Sequence, residues 1–450
     1  MLRTASFIIL LAVLALTASA QNSKITSAAL ELDAGNYEDA VKFAREGVSN
    51  PSTLKPKQVA KGYSIIARSL MGLYTRVSKL PKDKKEAGDA ELKSKFPTLV
   101  EDAFDALNKA KEADPASVED QNLMSSRLAV GQLLLIKAQD KIFAEKADLT
   151  GAVTTLDQAE VMFKDLKVET KFFVLYFLRG IAKASQDGDA MKLAAISDFE
   201  QTIAYHKNAV ELAVKTLGDK DEEVTNLKTN PAPCRAYGEL ITLYAKYKKD
   251  LPKAKQLADQ GSAACKGIKD GEDAVRIAEL NLYLQNPSLF DEAFAKFESE
   301  IQKKPDDVEV LLAYAGLLEK KAKTDSAKPK EVQMESYNKA IDMYKKALAK
   351  KPDSEAANYN VGVIYNNFAA EVAEKINKLP DNAPATVENK LREEMKGHLR
   401  SALPYMEKAS ELTKHADGAI LHTLVSITTN LEMMDKSAFY FEKQKALKNK

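Results

Sequence analysis

An alanine followed twelve residues later by a proline recurs along this chain, and that spacing constrains the fold more than any other feature. Ala293 precedes Pro305, Ala340 precedes Pro352 and Ala103 precedes Pro115, each by twelve residues. Each alanine opens an Ala-x3-large step: Ala293-x3-Phe297, Ala340-x3-Tyr344 and Ala103-x3-Leu107. Ala40-x3-Ala44 reaches Pro51 one residue early, and Ala402-x3-Met406 has Lys414 where the proline would stand. Nearly every segment after Ser23 carries apolar residues at helical spacing, and strand patterns are almost absent. The helices come in pairs with short polar joints, and a regular succession of helix pairs is the mark of a repeat array.

In the clearest unit, Asn358-x2-Val361-Gly362-x2-Tyr365 is one helix, and the helix before it carries Ala340, Tyr344 and Ala347. One unit earlier, Leu311-x2-Tyr314-Ala315-x2-Leu318 follows Ala293 and Phe297. Small residues at Gly362, Ala340 and Ala347 let antiparallel helices approach closely. Large ones at Val361, Tyr365 and Tyr344 fill the space between neighbouring pairs. The proline cannot continue a helix and so helps end each unit. At these residues the chain resembles the tetratricopeptide repeat (TPR) family, whose repeat of about 34 residues has this order of small, large and closing positions. The resemblance is specific over residues 290–430 and weaker elsewhere. It implies an all-α superhelical solenoid of antiparallel helix pairs. About nine pairs are expected, at 23–50, 57–113, 118–166, 170–216, 234–268, 273–304, 308–351, 355–414 and 417–448.

The period stretches in two places. Phe297 to Tyr344 is 47 residues and Ala347 to Ala409 is 62, against about 34 in the family. The excess lies between the helices of one repeat, in "KTDSAKPKEVQMES" and "EKINKLPDNAPATVENK", and should lengthen helices or add loops along one edge. A polar interruption, "LPKDKKEAGDAE", splits the second pair. "GDKDEEVTNLKTNPAP", residues 218–233, is the least helical internal stretch. It reads either as a flexible joint between an N-terminal half (21–217) and a C-terminal half (234–450), or as a longer loop in one continuous superhelix. "EKQKALKNK" at the end suits a polar capping helix.

Residues 1–20 read as a secretory signal peptide: Arg3, an apolar run from Phe7 to Leu16, then Ala18-Ser19-Ala20 before Gln21. The run is about half the roughly 20 residues that span a bilayer, and no cysteine follows it to take a lipid. The expectation is export with cleavage near Ala20, to a periplasm or beyond the cell, as a soluble protein without stable membrane insertion. No Asn-x-Ser/Thr sequon is open, since Asn50-Pro51-Ser52 and Asn286-Pro287-Ser288 are blocked by proline, which leans toward a bacterial source. Without Arg3 the basic residues number 65, equal to the 65 acidic ones. That balance gives no reason to expect nucleic acid or an anionic membrane as partner.

Catalytic patterns are missing. There is no HExxH, no P-loop, no Gly-x-Ser-x-Gly and no Gly-x-Gly-x-x-Gly. The four histidines, His206, His398, His415 and His422, read by default as exposed helix-end residues, so neither metal nor cofactor is expected. The two cysteines, Cys234 and Cys265, stand 31 residues apart at ends that an antiparallel pair would bring together. They form a disulfide in an oxidising compartment or are two buried small apolar residues.

First helices of TPR proteins generally line a concave groove that holds peptides or partner helices. On the helix of Tyr365, the residues left over from pair packing include Tyr359, Asn360, Val363, Asn366 and Asn367. On the preceding first helix they are Leu312, Gly316 and Glu319. Asparagine amides both donate and accept, which suits an extended backbone, although solvated surface asparagines give the same pattern. The lysines with which some family members grip a terminal carboxylate are missing here. The sequence therefore points to a non-enzymatic, exported scaffold that binds other proteins. The alternative is an exported helper that captures glycans or nutrients, which would favour exposed aromatic platforms, yet the chain has no tryptophan.

Overall fold

The computed structural model describes residues 2–324 and 330–448. Among them are twenty α-helices and no strand. The first helices are α1 (Leu2–Asp33), α2 (Tyr37–Gly47), α3 (Pro56–Ser78), α4 (Lys82–Lys95), α5 (Leu99–Ala113), α6 (Gln121–Phe143), α7 (Leu149–Asp165), α8 (Phe173–Ala184) and α9 (Asp189–Leu217). Next come α10 (Glu222–Lys228), α11 (Ala232–Leu243), α12 (Leu251–Ala264), α13 (Lys269–Gln285), α14 (Phe290–Lys303) and α15 (Val308–Thr324). The last are α16 (Lys330–Lys350), α17 (Glu355–Asn377), α18 (Ala385–Leu412), α19 (Gly418–Asn430) and α20 (Met434–Lys448). The chain divides into two compact units, Met1–Glu279 and Leu280–Lys450.

Each unit is a stack of antiparallel helix pairs in TPR-like order. In the first, α1 packs on α2, α3 on α5, α6 on α7, α8 on α9 and α11 on α12. In the second, α15 packs on α16, α17 on α18 and α19 on α20. Short acidic or hydroxyl caps start many of these helices. Asp120 Oδ1 accepts from the Asn122 and Leu123 amides at 2.8 and 3.3 Å, and Asp417 Oδ1 does the same for Ala419 and Ile420. These caps satisfy amides that the helix itself leaves open.

The close approach within pairs uses glycine for its lack of a side chain. A Cβ at Gly131 would fall 2.6 Å from the Phe163 ring, one at Gly180 2.7 Å from Phe199, and one at Gly362 2.5 Å from Met406. A glycine on the first helix against a large residue on the second thus recurs where the sequence repeat is diverged. The core of the first unit runs without interruption from Ile25 to Ala182. It also encloses cations. Arg127 is fully buried, binding Asp165 at 3.0 Å and the Leu107 carbonyl at 3.0 Å. Arg179 and Lys183 both bind buried Asp198, at 2.8 and 2.7 Å.

Three stretches depart from what composition suggests. The polar "LPKDKKEAGDAE" is mostly helix α4, which buries none of its residues. Residues 218–233 lie inside the first unit and contain α10, with Val224 buried, Asp221 capping the Glu223 amide at 2.8 Å and Lys228 in the last turn. Acidic residues at its start and a lysine at its end favour the helix electrostatically. Of the two insertions, "EKINKLPDNAPATVENK" extends α17 and α18, leaving only a short turn between Asn377 and Ala385. Residues 325–329 of "KTDSAKPKEVQMES" lie outside the described residues.

Candidate functional site

In the second unit α15 supplies Leu312, Gly316 and Glu319, and α17 supplies Tyr359, Asn360, Val363, Asn366 and Asn367. Three of the eight converge on one hydroxyl. Tyr344 of α16 is buried, and its Oη accepts from Asn360 Nδ2 at 2.9 Å and donates to Glu319 Oε2 at 3.3 Å. Gly316 leaves room beside it, since a Cβ there would lie 3.9 Å from that hydroxyl. Glu319 in turn binds Lys323 at 2.5 Å. Burial, helped by the charge of Glu319, pushes the Tyr344 phenol well above its ordinary range, while the Asn360 hydrogen bond acts in the opposite direction. Tyr344 therefore remains a neutral donor. Burial lowers the affinity of Lys323 for its proton, but the hydrogen bond and charge of Glu319 outweigh it, and the pKa is raised. The result is a chain Lys323–Glu319–Tyr344–Asn360 reaching across three helices.

The other predicted residues differ in exposure. Leu312 packs in part against the core formed by α14 to α17, and Tyr359 and Val363 pack in part against the core of α17 to α20. Asn366 is half-buried and Asn367 exposed. Asn358 is buried, donating from Nδ2 to the carbonyls of Pro352 and Ser354 at 3.0 and 2.9 Å, so it ties down the turn that enters α17.

Sequence reasoning missed Lys323 and the polar end of Tyr344. It also missed a run of rings beside them. Tyr337 meets Phe368 edge-on at 5.8 Å, Phe368 meets His398 at 5.5 Å, and Tyr365 stacks on Tyr405 at 6.5 Å. The available signal was the spacing of Tyr337 and Tyr344, two turns apart on one helix face.

The histidines are not uniformly helix-end residues. His206 lies within α9, half-buried, with Nε2 2.8 Å from the Leu227 carbonyl of α10. His398 lies within α18 against Phe368, because the lengthened α17 and α18 bring the two together. His415 follows α18 and binds the Ser410 hydroxyl through Nδ1 at 2.8 Å. Cys234, near the start of α11, is joined by a disulfide to Cys265, directly after α12, with Cα atoms 5.7 Å apart. Both are buried. Gly267, at φ +82°, then turns the chain toward α13 in a conformation that favours glycine. Among the described residues no helix is long and apolar enough to cross a membrane, and no group of three or more His, Cys, Asp or Glu could hold a metal ion.

No family model matches the chain, and no curated protein matches it. Among solved structures it is similar to the TPR domain of P58(IPK), at 18% identity over 92% of this chain and 99% of that one, with a TM-score of 0.27. It is similar to yeast Tom70 at 13% identity over 93% and 92%, with a TM-score of 0.27. It is similar also to human IFIT1, solved as a dimer with m7Gppp-AAAA, at 16% identity over 85% and 95%, with a TM-score of 0.25. The fold class rests on the helix pairs themselves rather than on these likenesses.

Proposed function

We propose that the protein is a non-enzymatic scaffold that binds partner proteins through the face of α15 to α17. The observation that carries this reading is the chain Lys323–Glu319–Tyr344–Asn360, which holds donors and acceptors in fixed positions across three successive helices. Such preorganised polar groups next to half-buried Tyr359 and exposed Asn367 suit a partner's backbone amides and carbonyls. The near balance of 66 basic and 65 acidic residues favours a protein partner over nucleic acid, which requires a concentrated cationic surface.

Export with cleavage near Ala20 belongs to the same proposal. Cleavage there would leave the core contacts of α1 intact. Asn22 accepts from Gln58 Nε2 at 2.8 Å, Gly47 packs against Ile25 and Gln21, and Ile25 and Ala28 enter the core. A chain beginning at Gln21 keeps all of these.

The test is affinity capture from a periplasmic extract with the mature protein and with an Asn360→Ala/Asn367→Lys variant. A protein retained by the first and lost by the second supports the reading. Identical capture by both, or retention only on a polysaccharide column, overturns it.

A further inference from the structure

Helix α9 outruns its partner α8 in the first unit. Phe173, where α8 begins, meets the His206 ring edge-on at 4.9 Å, and α9 continues from there to Leu217, about 16 Å further at 1.5 Å per residue. Past Ala209 no residue of α9 is buried. The overhang still carries an apolar stripe, Ala209, Leu212, Ala213, Thr216 and Leu217, at i, i+3, i+4, i+7 and i+8, the spacing of a helix face that packs on something. Leu212 and Leu217 are 49% and 46% exposed. The stripe is the floor of a cavity of about 280 Å³, bounded by Leu227 of α10 and by Lys171 of the turn Glu169–Phe172.

The polar groups of the lining identify the head group that fits. The Lys171 ammonium forms no hydrogen bond or ion pair among the described residues. Thr216 is already engaged, its hydroxyl donating to the Leu212 carbonyl at 2.7 Å. Glu223 of α10 also lines the cavity, and its carboxylate has no partner among the described residues. The ammonium attracts an anion, while the carboxylate repels a second negative charge. A dianion such as a phosphate monoester is therefore disfavoured, and a single carboxylate is the better match. The aliphatic walls supply affinity through apolar burial, and the ammonium selects the head group. At about 30 Å³ for each methylene-sized group, the space takes a chain of about eight carbons with its carboxylate at the mouth.

We propose that this cavity binds a straight-chain aliphatic monocarboxylate of about eight carbons, its carboxylate on Lys171 and its chain along Leu212, Ala213 and Leu217. The cavity stands on the second helix of its pair, away from the first-helix residues of the scaffold reading, and it takes a small molecule rather than a partner chain. Neither reading depends on the other.

The experiment is isothermal titration calorimetry of the mature protein with octanoate, octylammonium and octanedioate, each below the concentration at which it aggregates. Octanoate is expected to bind about tenfold more tightly than either of the others, with a negative change in heat capacity as its chain is buried. Lys171→Glu should reverse the order, so that octylammonium becomes the tighter ligand, and Glu223→Gln should narrow the gap between octanedioate and octanoate. Bound octanoate should also raise the protection of the α10 amides against hydrogen exchange, because Leu227 bounds the cavity. No binding of octanoate, equal binding of octanoate and octylammonium, or an order that Lys171→Glu leaves unchanged overturns the proposal.

Discussion

Gly362 sits mid-helix, where glycine costs about 1 kcal/mol relative to alanine, yet α17 is continuous through it. The reason is Met406 of α18, whose Cγ and Sδ would both lie 2.5 Å from a Cβ at Gly362, with its backbone nitrogen at 3.3 Å. Gly362→Ala is therefore expected to destabilise by about 1–2 kcal/mol, overpacking outweighing the gain in propensity. In a Met406→Ala background the same change should be neutral or stabilising by up to about 1 kcal/mol. Urea denaturation of the four proteins of this cycle gives the coupling. A coupling near zero would show that the methionine simply moves aside. This close approach was legible in the sequence because the repeat pattern demands a small residue there. The partner of Asn360 was not. The pattern assigns an aromatic ring at Tyr344 to packing, and it says nothing of where the hydroxyl at the end of that ring emerges.

At the level of elements, the helix pairs could be read from periodicity, while α10 could not, because seven residues with one buried valine carry almost no periodic signal. What places α10 is long-range: Val224 is buried, and the Leu227 carbonyl meets His206 of α9. Burial lowers the His206 pKa below its ordinary value, and the hydrogen bond to Leu227 opposes the shift without reversing it. The folded protein thus prefers the neutral ring. The contribution of that preference to stability is complete above the unfolded pKa of about 6.5 and is lost as pH falls from there through the lowered folded value. Protection factors of the α10 amides, taken relative to the intrinsic exchange rate at each pH, should fall as pH drops through that window in the parent protein. In His206→Gln, which keeps a donor, the dependence should flatten. An identical pH profile in both would remove His206 from the account. The pair α11–α12 depends on a covalent link instead. Alkylation of unreduced, denatured protein should modify neither cysteine, and reduction should expose both. Two reactive thiols before reduction would show that Cys234 and Cys265 are unpaired in the isolated protein.

At the scale of the whole molecule, composition draws the eye to residues 218–233, rich in polar residues and proline, but the contacts divide the chain between Glu279 and Leu280. That division falls inside α13, where helical periodicity continues and neither proline nor glycine marks it. It could not be read locally because it is a property of how many distant residues meet, not of the residues at the boundary. In stacked repeats stability is close to a sum of local and nearest-neighbour terms, so each unit should respond to its own perturbations. Calorimetry of the mature protein is expected to resolve two transitions. Cys234→Ala/Cys265→Ala removes a cross-link over 31 residues, worth about 3–4 kcal/mol on chain-entropy grounds. It should lower only the transition of the first unit. Gly362→Ala should lower only the other, by about 2–4 °C for each kcal/mol in a unit of this size. A single transition that both variants shift together would mean that the two units unfold as one cooperative block.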